Sequence, residues 1–250
     1  MSHKSKHSYK SKHKPYYRKS GRKVTCNPDS RNALIDEPRL IDHSMFPNGF
    51  STKIIHDKPY IVKIRRFLDS NEINILLDMA KGLFKKSTIV VDGKMVNSTT
   101  RSSRTAFITD NGHYNNHGYY VDNVLNKVCY LVGCSRQQIE GLMVVKYREG
   151  DEYQEHHDYF LEEHQDVIAD GGQRIGTFFC YLNSLDKNEG GETEFPEIGV
   201  KAKPSKGTAV FWWNQVNGKT LPKTLHRGNP VLGKNRTKYG LNIWIREYGW

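Results

Sequence analysis

The feature that most constrains the fold of this chain is a series of short β-forming segments in its second half. Four such segments are rich in β-branched and aromatic residues: LMVVKY (142–147), RIGTFFCYL (174–182), TAVFWW (208–213) and YGLNIWI (239–245). Stretches rich in Gly, Pro and Asn separate them, as turns separate strands. Several short strands of this kind predict a β-barrel or a β-sandwich.

Helical patterns precede these strands. After a predicted strand YIVKI (60–64), Asp69 and Glu72 have the spacing of a capping box. Apolar residues then follow at helical intervals: Ile73, Leu76, Leu77 and Ala80. A second helix is predicted by an apolar face made of Val121, Val124, Leu125, Val128 and Val132, with Gly133 placed to end it. Both helices are expected to be scaffold, so the fold class is mainly β with flanking helices (α+β).

Charge and composition predict three parts of the chain. The formal net charge is +11, but residues 1–23 hold nine Lys or Arg and no acid, which leaves +2 for the rest. Residues 1–24 have too few aliphatic side chains to offset the entropy lost on ordering, so they are predicted to be a disordered basic tail. Residues 25–56 are predicted to be a linker, and residues 57–250 a single domain.

Several classes of protein are excluded by simple counts. The cysteines are Cys26, Cys129, Cys134 and Cys180, and they show no CxxC pairing, so we expect reduced thiols and neither a disulfide scaffold nor a zinc site. No segment reaches the roughly 18 consecutive apolar residues of a membrane span. The charged N-terminus has no apolar stretch behind it, so we expect a soluble protein without a signal peptide. The basic tail suits contact with nucleic acid or an acidic surface, and equally a solvating role.

The polar segment after the first of the four strands holds candidate metal ligands. His156 and Asp158 are separated by one residue, so both leave an extended segment from the same face, whereas His157 points the other way. Of the two histidines further on, His164 lies in an acidic run and His226 lies between two predicted strands, so we select His226. Two imidazoles and one carboxylate suit Fe(II) and leave three positions for a cosubstrate and O2.

Six blocks surround these residues in order over about a hundred positions. They are YREGDEYQEHHDYF (147–160), GGQRIGTFFCYLN (171–183), GGETEFP (190–196), KPSKGTAVFW (203–212), LHRGNPVLGK (225–234) and KYGLNIWI (238–245). The blocks resemble the prolyl 4-hydroxylase family of Fe(II)- and 2-oxoglutarate-dependent dioxygenases, particularly its short, single-domain algal and viral members. The first half matches more loosely, through YIVKIRRFLDSNEI and RSSRTAF. The resemblance implies a double-stranded β-helix (jelly-roll) with its metal-binding core at residues 140–250.

The resemblance also implies roles for single residues. His156, Asp158 and His226 would be the iron ligands, and a basic residue beyond His226 would anchor the distal carboxylate of 2-oxoglutarate. The candidates are Lys234, Arg236 and Lys238; the alignment of the terminal strand selects Lys238, with Arg236 in reserve. Strand alternation places Lys238 on one face with Gly240, Asn242 and Trp244, the face expected to line the cavity.

The other implied roles concern the cosubstrate pocket and the peptide site. Hydroxyls of the 2-oxoglutarate pocket would come from Tyr147, Thr193 and Tyr181. The target proline would be surrounded by Tyr153, Arg174 and Trp244. The segment VVDGKMVNSTTRSSRTAF (90–107) corresponds to a mobile loop and its return strand, with Arg101 and Ser103 as peptide contacts.

The activity implied is hydroxylation of proline in collagen-like or proline-rich peptides, of the procollagen-proline 4-dioxygenase type. Succinate and CO2 would be released, and L-ascorbate would reduce the iron after uncoupled turnovers. Two alternatives remain: a nucleic-acid oxidative demethylase of the same superfamily, which the tail would suit, and a non-catalytic metal-binding adaptor. Resemblance to viral enzymes implies action in the host cytoplasm or in the virus particle.

Overall fold

Sixteen strands and three helices form the regular structure in a computed structural model that describes residues 39–40, 49–91, 94–108, 118–161, 165–169 and 171–249. The strands are β1 (Ser51–His56), β2 (Ile61–Arg65), β3 (Lys85–Lys86), β4 (Thr88–Val91), β5 (Lys94–Asn97), β6 (Arg104–Ile108), β7 (Leu142–Arg148), β8 (Tyr153–His156), β9 (Arg174–Tyr181), β10 (Thr193–Phe195), β11 (Val200–Ala202), β12 (Ala209–Trp213), β13 (Gln215–Val216), β14 (Lys219–Thr220), β15 (His226–Gly228) and β16 (Thr237–Arg246). The helices are α1 (Ser70–Ala80), α2 (Gly118–Val132) and α3 (Gln165–Ala169).

Two antiparallel sheets carry the architecture. The large sheet has the order β1-β2-β12-β9-β16-β7-β6-β3, and the small sheet has the order β11-β10-β15-β8. One buried cluster joins α1 and α2 to the outer face of the large sheet. A second cluster, which includes Tyr181, Phe195 and Trp212, fills the space between the two sheets. The prediction of a mainly β fold with flanking helices is confirmed, and the paired sheets form the expected jelly-roll.

The four segments that predicted strands are strands in the structure. They correspond to β7, β9, β12 and β16, each within two residues of the expected ends. These four strands include the central members of the large sheet, where β9 lies between β12 and β16. Central strands are buried on both faces, which explains why their sequences are apolar almost throughout.

The two predicted helices also form, with the expected caps. Asp69 caps α1 and accepts from the Glu72 backbone N–H at 2.8 Å, while the Glu72 side chain accepts from the Asp69 N–H at 2.9 Å. Lys127 on α2 donates to Glu72 at 2.6 Å, which ties the two helices together. Helix α2 ends before Gly133, whose φ of 76° suits glycine and whose N–H donates to the carbonyl of Cys129.

The sheet begins earlier than the domain start expected at residue 57. Strand β1 lies within the range 25–56 assigned to a linker, and it pairs with β2 at the sheet edge. Its sequence, STKIIH, is polar because an edge strand needs only one bonded neighbour and has most of its side chains in solvent. The basic tail (1–24), Cys26 and His164 lie outside the described residues.

Two further expectations concern thiols and membranes. Cys129, Cys134 and Cys180 are buried, and no disulfide joins these three described cysteines. Among the described helices, none is long and apolar enough to cross a membrane.

Candidate active site

Three potential metal ligands converge where the small sheet faces the large one. Strand β15 pairs with β8 so that His226 lies opposite His156, and Asp158 follows β8 by two residues. Asp158 Oδ1 lies 3.8 Å from His156 Nε2, and Asp158 Oδ2 lies 3.7 Å from His226 Nε2. Ligand atoms of all three side chains lie within 4.8 Å of one another, so one ion could contact all of them.

The histidine tautomers suit metal binding. His156 Nδ1 lies 2.7 Å from the carbonyl oxygen of Gln154, and His226 Nδ1 lies 3.0 Å from that of Thr224. A carbonyl only accepts, so each Nδ1 carries the proton and each Nε2 presents its lone pair to the cluster. His157 points away and lies 2.8 Å from the carbonyl of Pro222 through its Nε2.

The protonation states of His156, His226 and Asp158 also suit metal binding. Burial lowers the pKa of His156 well below its ordinary value, helped by the neighbouring His226. Burial also lowers the pKa of His226. For Asp158 burial opposes ionisation, but the adjacent histidines and Arg174 outweigh it and hold the pKa below its usual value. Two neutral imidazoles and one carboxylate are the donors that a borderline divalent ion such as Fe(II) requires.

An open cleft of about 380 Å³ extends from these three residues. Residues of both sheets line it, among them Tyr147, Tyr153, Thr193, Trp212, Asn242 and Trp244. The walls are therefore mostly aromatic, with a few hydroxyl and amide groups, which is the usual composition of a small-molecule or peptide site.

Lys238 is buried beside this cleft and is 1% exposed. Its Nζ lies 4.9 Å from the ring centres of Tyr147 and Phe179. Burial lowers its pKa to about 7, against a smaller opposing effect of Glu192. The amine is 3.9 Å from the point where a Cβ on Gly228 would lie, so it reaches the strand that carries His226.

The other two basic candidates for an anchor lie elsewhere. Arg236 forms an ion pair with Glu189, and half of its side chain is exposed. Lys234 is exposed as well. None of the three basic candidates lines the cleft itself, but Lys238 alone among them is buried beside it.

The predicted hydroxyl groups come from both sheets: Tyr147 and Tyr181 from β7 and β9 of the large sheet, and Thr193 from β10 of the small sheet. Tyr147 and Thr193 line the cleft. Tyr181 does not, because it lies behind Thr193, with its hydroxyl 2.8 Å from both Thr193 Oγ1 and the carbonyl oxygen of Ala202. Burial raises the pKa of Tyr147, so this phenol is neutral and can donate a hydrogen bond.

Tyr153 connects the metal cluster to the segment around Arg101. Its ring stacks on His156 with 3.5 Å between centroids and 16° between planes. The guanidinium of Arg101 lies 4.7 Å from the centre of the same ring. Arg101 also donates to the carbonyl of Thr88 at 3.2 Å, and Ser103 is hydrogen-bonded to Ser87 at 2.8 Å. Arg101 and Ser103 are thus buried beside the cleft and do not line it.

Arg174 lies behind Trp244, with its guanidinium carbon 3.8 Å from the centre of the indole. Glu140 holds it with two hydrogen bonds of 2.8 and 2.7 Å. Arg246 donates to the same carboxylate at 3.1 Å, and the two arginines keep the pKa of Glu140 below its ordinary value despite its burial. The Arg174 side chain is thereby fixed in orientation against the cleft wall.

Several site residues were not identified from the sequence. Glu140 lies in a loop and gives no local signal, and Trp212 looks like any apolar strand residue. Thr177 donates to Asp158 Oδ2 at 2.8 Å, and Asn214 donates to Thr177 at 2.9 Å. A threonine inside the apolar strand β9 is the one signal that could have identified this pair, because buried hydroxyls need partners.

Comparison with known proteins gives consistent matches. The family model described as the 2OG-Fe(II) oxygenase superfamily matches residues 142–246. The prolyl 4-hydroxylase subunit alpha-1 of Rattus norvegicus is 32% identical in an alignment of 202 positions that covers 77% of this chain and 35% of the relative. This chain thus spans about a third of the length of the alpha-1 subunits that it matches.

Two other matches cover most of their own chains. Probable prolyl 4-hydroxylase 10 of Arabidopsis thaliana is 30% identical in an alignment of 218 positions that covers 78% of this chain and 72% of the relative. The crystal structure of the viral collagen prolyl hydroxylase vCPH from Paramecium Bursaria Chlorella virus-1, in complex with 2OG, is 29% identical with a TM-score of 0.58, covering 77% of this chain and 98% of that one. The sequence matches, the shared fold and the His-Asp-His cluster together place this chain in the prolyl 4-hydroxylase family of the 2OG-Fe(II) oxygenases.

Proposed function

We propose that this chain is a prolyl 4-hydroxylase that hydroxylates proline in a peptide or protein, using Fe(II), 2-oxoglutarate and O2. The observation that carries the proposal is the cluster of His156, Asp158 and His226 at one end of an aromatic cleft, with the buried cation Lys238 beside it. A metal, a dicarboxylate and a flat apolar ring would each find matching groups in this arrangement.

The two histidines and Asp158 would hold the iron through His156 Nε2, His226 Nε2 and a carboxylate oxygen. Iron, 2-oxoglutarate and O2 together supply the oxidising power for hydroxylation of a C–H bond, and the cosubstrate leaves as succinate and CO2. The protein would contribute binding, orientation and the exclusion of water from the cleft. By family, L-ascorbate would be the reductant that restores Fe(II).

Lys238 would anchor the far carboxylate of 2-oxoglutarate. A protonated amine in a pocket of aromatic rings interacts strongly with a carboxylate, because little water screens the pair. Tyr147 would donate a hydrogen bond to the same carboxylate, and Thr193, held by its hydrogen bond to Tyr181, would contact it from the small sheet.

The proline would lie against aromatic faces of the cleft. Trp244 offers such a face, backed by the guanidinium of Arg174. Tyr153 has His156 stacked on its ring and Arg101 over it, so it would contact the proline with its edge. In the bound state Arg174 would donate to a peptide carbonyl. Arg101 and Ser103, which are buried beside the cleft, would contact the peptide after a shift of the segment before β6. A collagen-like or proline-rich sequence is the proposed substrate, which the name of the viral neighbour supports.

We also propose that residues 1–24 form a basic tail that is separate from the catalytic domain, whose first described strand is β1. The nine Lys and Arg of residues 1–23 suit contact with nucleic acid or with an acidic surface.

The substrate class can be tested by following the release of CO2 from 2-oxoglutarate. Proline-rich and collagen-like peptides are expected to stimulate release, and methylated oligonucleotides are not. Mass spectrometry of the peptide should show one added oxygen on proline. Stimulation by oligonucleotides alone would instead indicate a demethylase, and iron binding without turnover on either substrate would indicate an adaptor.

The metal ligands can be tested with two neighbouring histidines. His226→Ala should abolish Fe(II) binding and turnover, because two ligands and an open coordination shell hold the ion weakly. His157→Ala is the matched control, since its ring points away toward Pro222, and it should keep metal affinity within about threefold of the unaltered protein. Anaerobic titration of the metal-free proteins with Fe(II) measures both. Full binding by His226→Ala would contradict the assignment.

The role of Lys238 as the anchor can be tested by measuring how the KM for 2-oxoglutarate depends on pH. Because the pKa of Lys238 is about 7 without cosubstrate, the amine loses its charge as pH rises through 7. The KM for 2-oxoglutarate should therefore rise with pH by up to about tenfold per unit above 7, until the higher pKa of the bound state is reached. Lys238→Met should raise this KM by about 100-fold at pH 7, with the KM for the peptide unchanged. An unchanged KM for 2-oxoglutarate in Lys238→Met would contradict the assignment, whereas a KM of the unaltered protein that is constant between about pH 7 and 9 would contradict the lowered pKa alone.

The tail can be tested by deleting residues 1–24. Peptide hydroxylation should be unchanged, because the charge of the tail lies outside the proposed domain. Binding to a DNA duplex, measured by fluorescence anisotropy, should be lost, and the affinity of the full chain should fall steeply with added salt. Equal DNA binding by both forms would show that the tail has no such role.

A further inference from the structure

Two buried polar side chains, Thr177 and Asn214, form consecutive hydrogen bonds that end on Asp158. Thr177 on β9 donates from Oγ1 to Asp158 Oδ2 at 2.8 Å. Asn214, which follows β12 directly, donates from Nδ2 to Thr177 Oγ1 at 2.9 Å. Thr177 and Asn214 are both 0% exposed, so bulk water replaces neither bond.

The chemistry of the three groups determines which of them donates in each of the two hydrogen bonds. An ionised carboxylate only accepts, and a threonine hydroxyl has a single proton, so Thr177 gives that proton to Asp158. The lone pairs of Thr177 then require an N–H, which the Asn214 amide supplies. Asn214 is itself held by backbone bonds, since its N–H donates to Ile175 at 2.8 Å and its carbonyl accepts from Leu221 at 2.9 Å.

These hydrogen bonds reach only one of the two carboxylate oxygens of Asp158. The histidine distances do not distinguish them, because Oδ1 lies 3.8 Å from His156 Nε2 and Oδ2 lies 3.7 Å from His226 Nε2. The bond from Thr177 does distinguish them, since it occupies Oδ2 alone. Oδ1 is therefore the oxygen with more freedom to contact an ion.

We propose that Thr177, oriented by Asn214, is a positioning residue that makes Asp158 bind the metal through a single oxygen, Oδ1. The inference rests on the proposed function. One-oxygen binding keeps three positions of an octahedral ion open, as a bidentate cosubstrate and O2 together require. Binding through both oxygens would leave only two. Thr177 thus keeps the site competent for both co-reactants and increases metal affinity by orienting a ligand.

The experiment is a titration of the metal-free protein with Co(II), whose visible absorption reports coordination number without turnover. Thr177→Val keeps the shape of the side chain and removes the hydroxyl. Its Kd for Co(II) should rise about tenfold or more, and its absorption should change as the carboxylate turns. Thr177→Ser keeps the hydroxyl and should bind within about threefold of the unaltered protein.

Asn214→Leu tests the hydrogen bond between Asn214 and Thr177. It should weaken Co(II) binding less than Thr177→Val does. The double variant should bind no more weakly than Thr177→Val alone, because Asn214 acts through Thr177. Thr208→Val is the matched control: it makes the same substitution at a buried threonine just before β12 and should leave the affinity unchanged.

Urea unfolding of each metal-free variant separates loss of fold from loss of site. Should Thr177→Val fail to fold, Thr177→Cys, which has a similar size and a weaker donor, replaces it and should give a smaller rise in Kd. A folded Thr177→Val with the affinity and spectrum of the unaltered protein would overturn the inference alone. Absence of metal binding by the unaltered protein would overturn the proposed function as well.

Discussion

The site depends on one backbone interaction, the antiparallel pairing of β8 with β15. His226 lies opposite His156 in this register, and directly opposed residues share a face of the sheet, so both imidazoles enter the same cleft. A slip by one residue would replace His226 with Arg227 at that position. In the observed register Arg227 takes the other side of the strand, where it pairs with Glu155 and Glu194.

Around this pairing, the protein stabilises three buried charges in different ways. Asp158 accepts a hydrogen bond from Thr177, and Arg174 forms a bidentate pair with Glu140. Lys238 instead lies among aromatic rings, and burial lowers its pKa to about 7. Charges with built-in partners keep their ionisation state, whereas the charge of Lys238 depends on what binds next to it. That difference suits fixed charges on Asp158 and Arg174 and a charge on Lys238 that changes with its surroundings.

Each of the two sheets contributes different residues to this site. The large sheet has α1 and α2 packed on its outer face, and the ion pair of Lys127 with Glu72 ties those helices together. Its inner face supplies Thr177, Lys238 and Trp244, while the small sheet supplies both histidines. Groups that must act together thus come from opposite faces of one packed core, which limits how far they can move apart.

Whether a feature could be predicted from the sequence depends on how far apart along the chain its interacting residues lie. Features that depend on neighbours within a few residues were predicted: the capping box of α1, the shared face of His156 and Asp158, and the positions of α1, α2, β2, β7, β9, β12 and β16. The edge strand β1 was not predicted, since its range was expected to be a linker. The fold type and the candidate ligands followed from blocks that resemble a family. The tertiary structure alone decided that Arg236 lies on the surface, that Glu140 clamps Arg174, and that Thr177 and Asn214 support Asp158. Those contacts join residues on separate strands and loops, and only the register and packing of the two sheets bring them within hydrogen-bond distance.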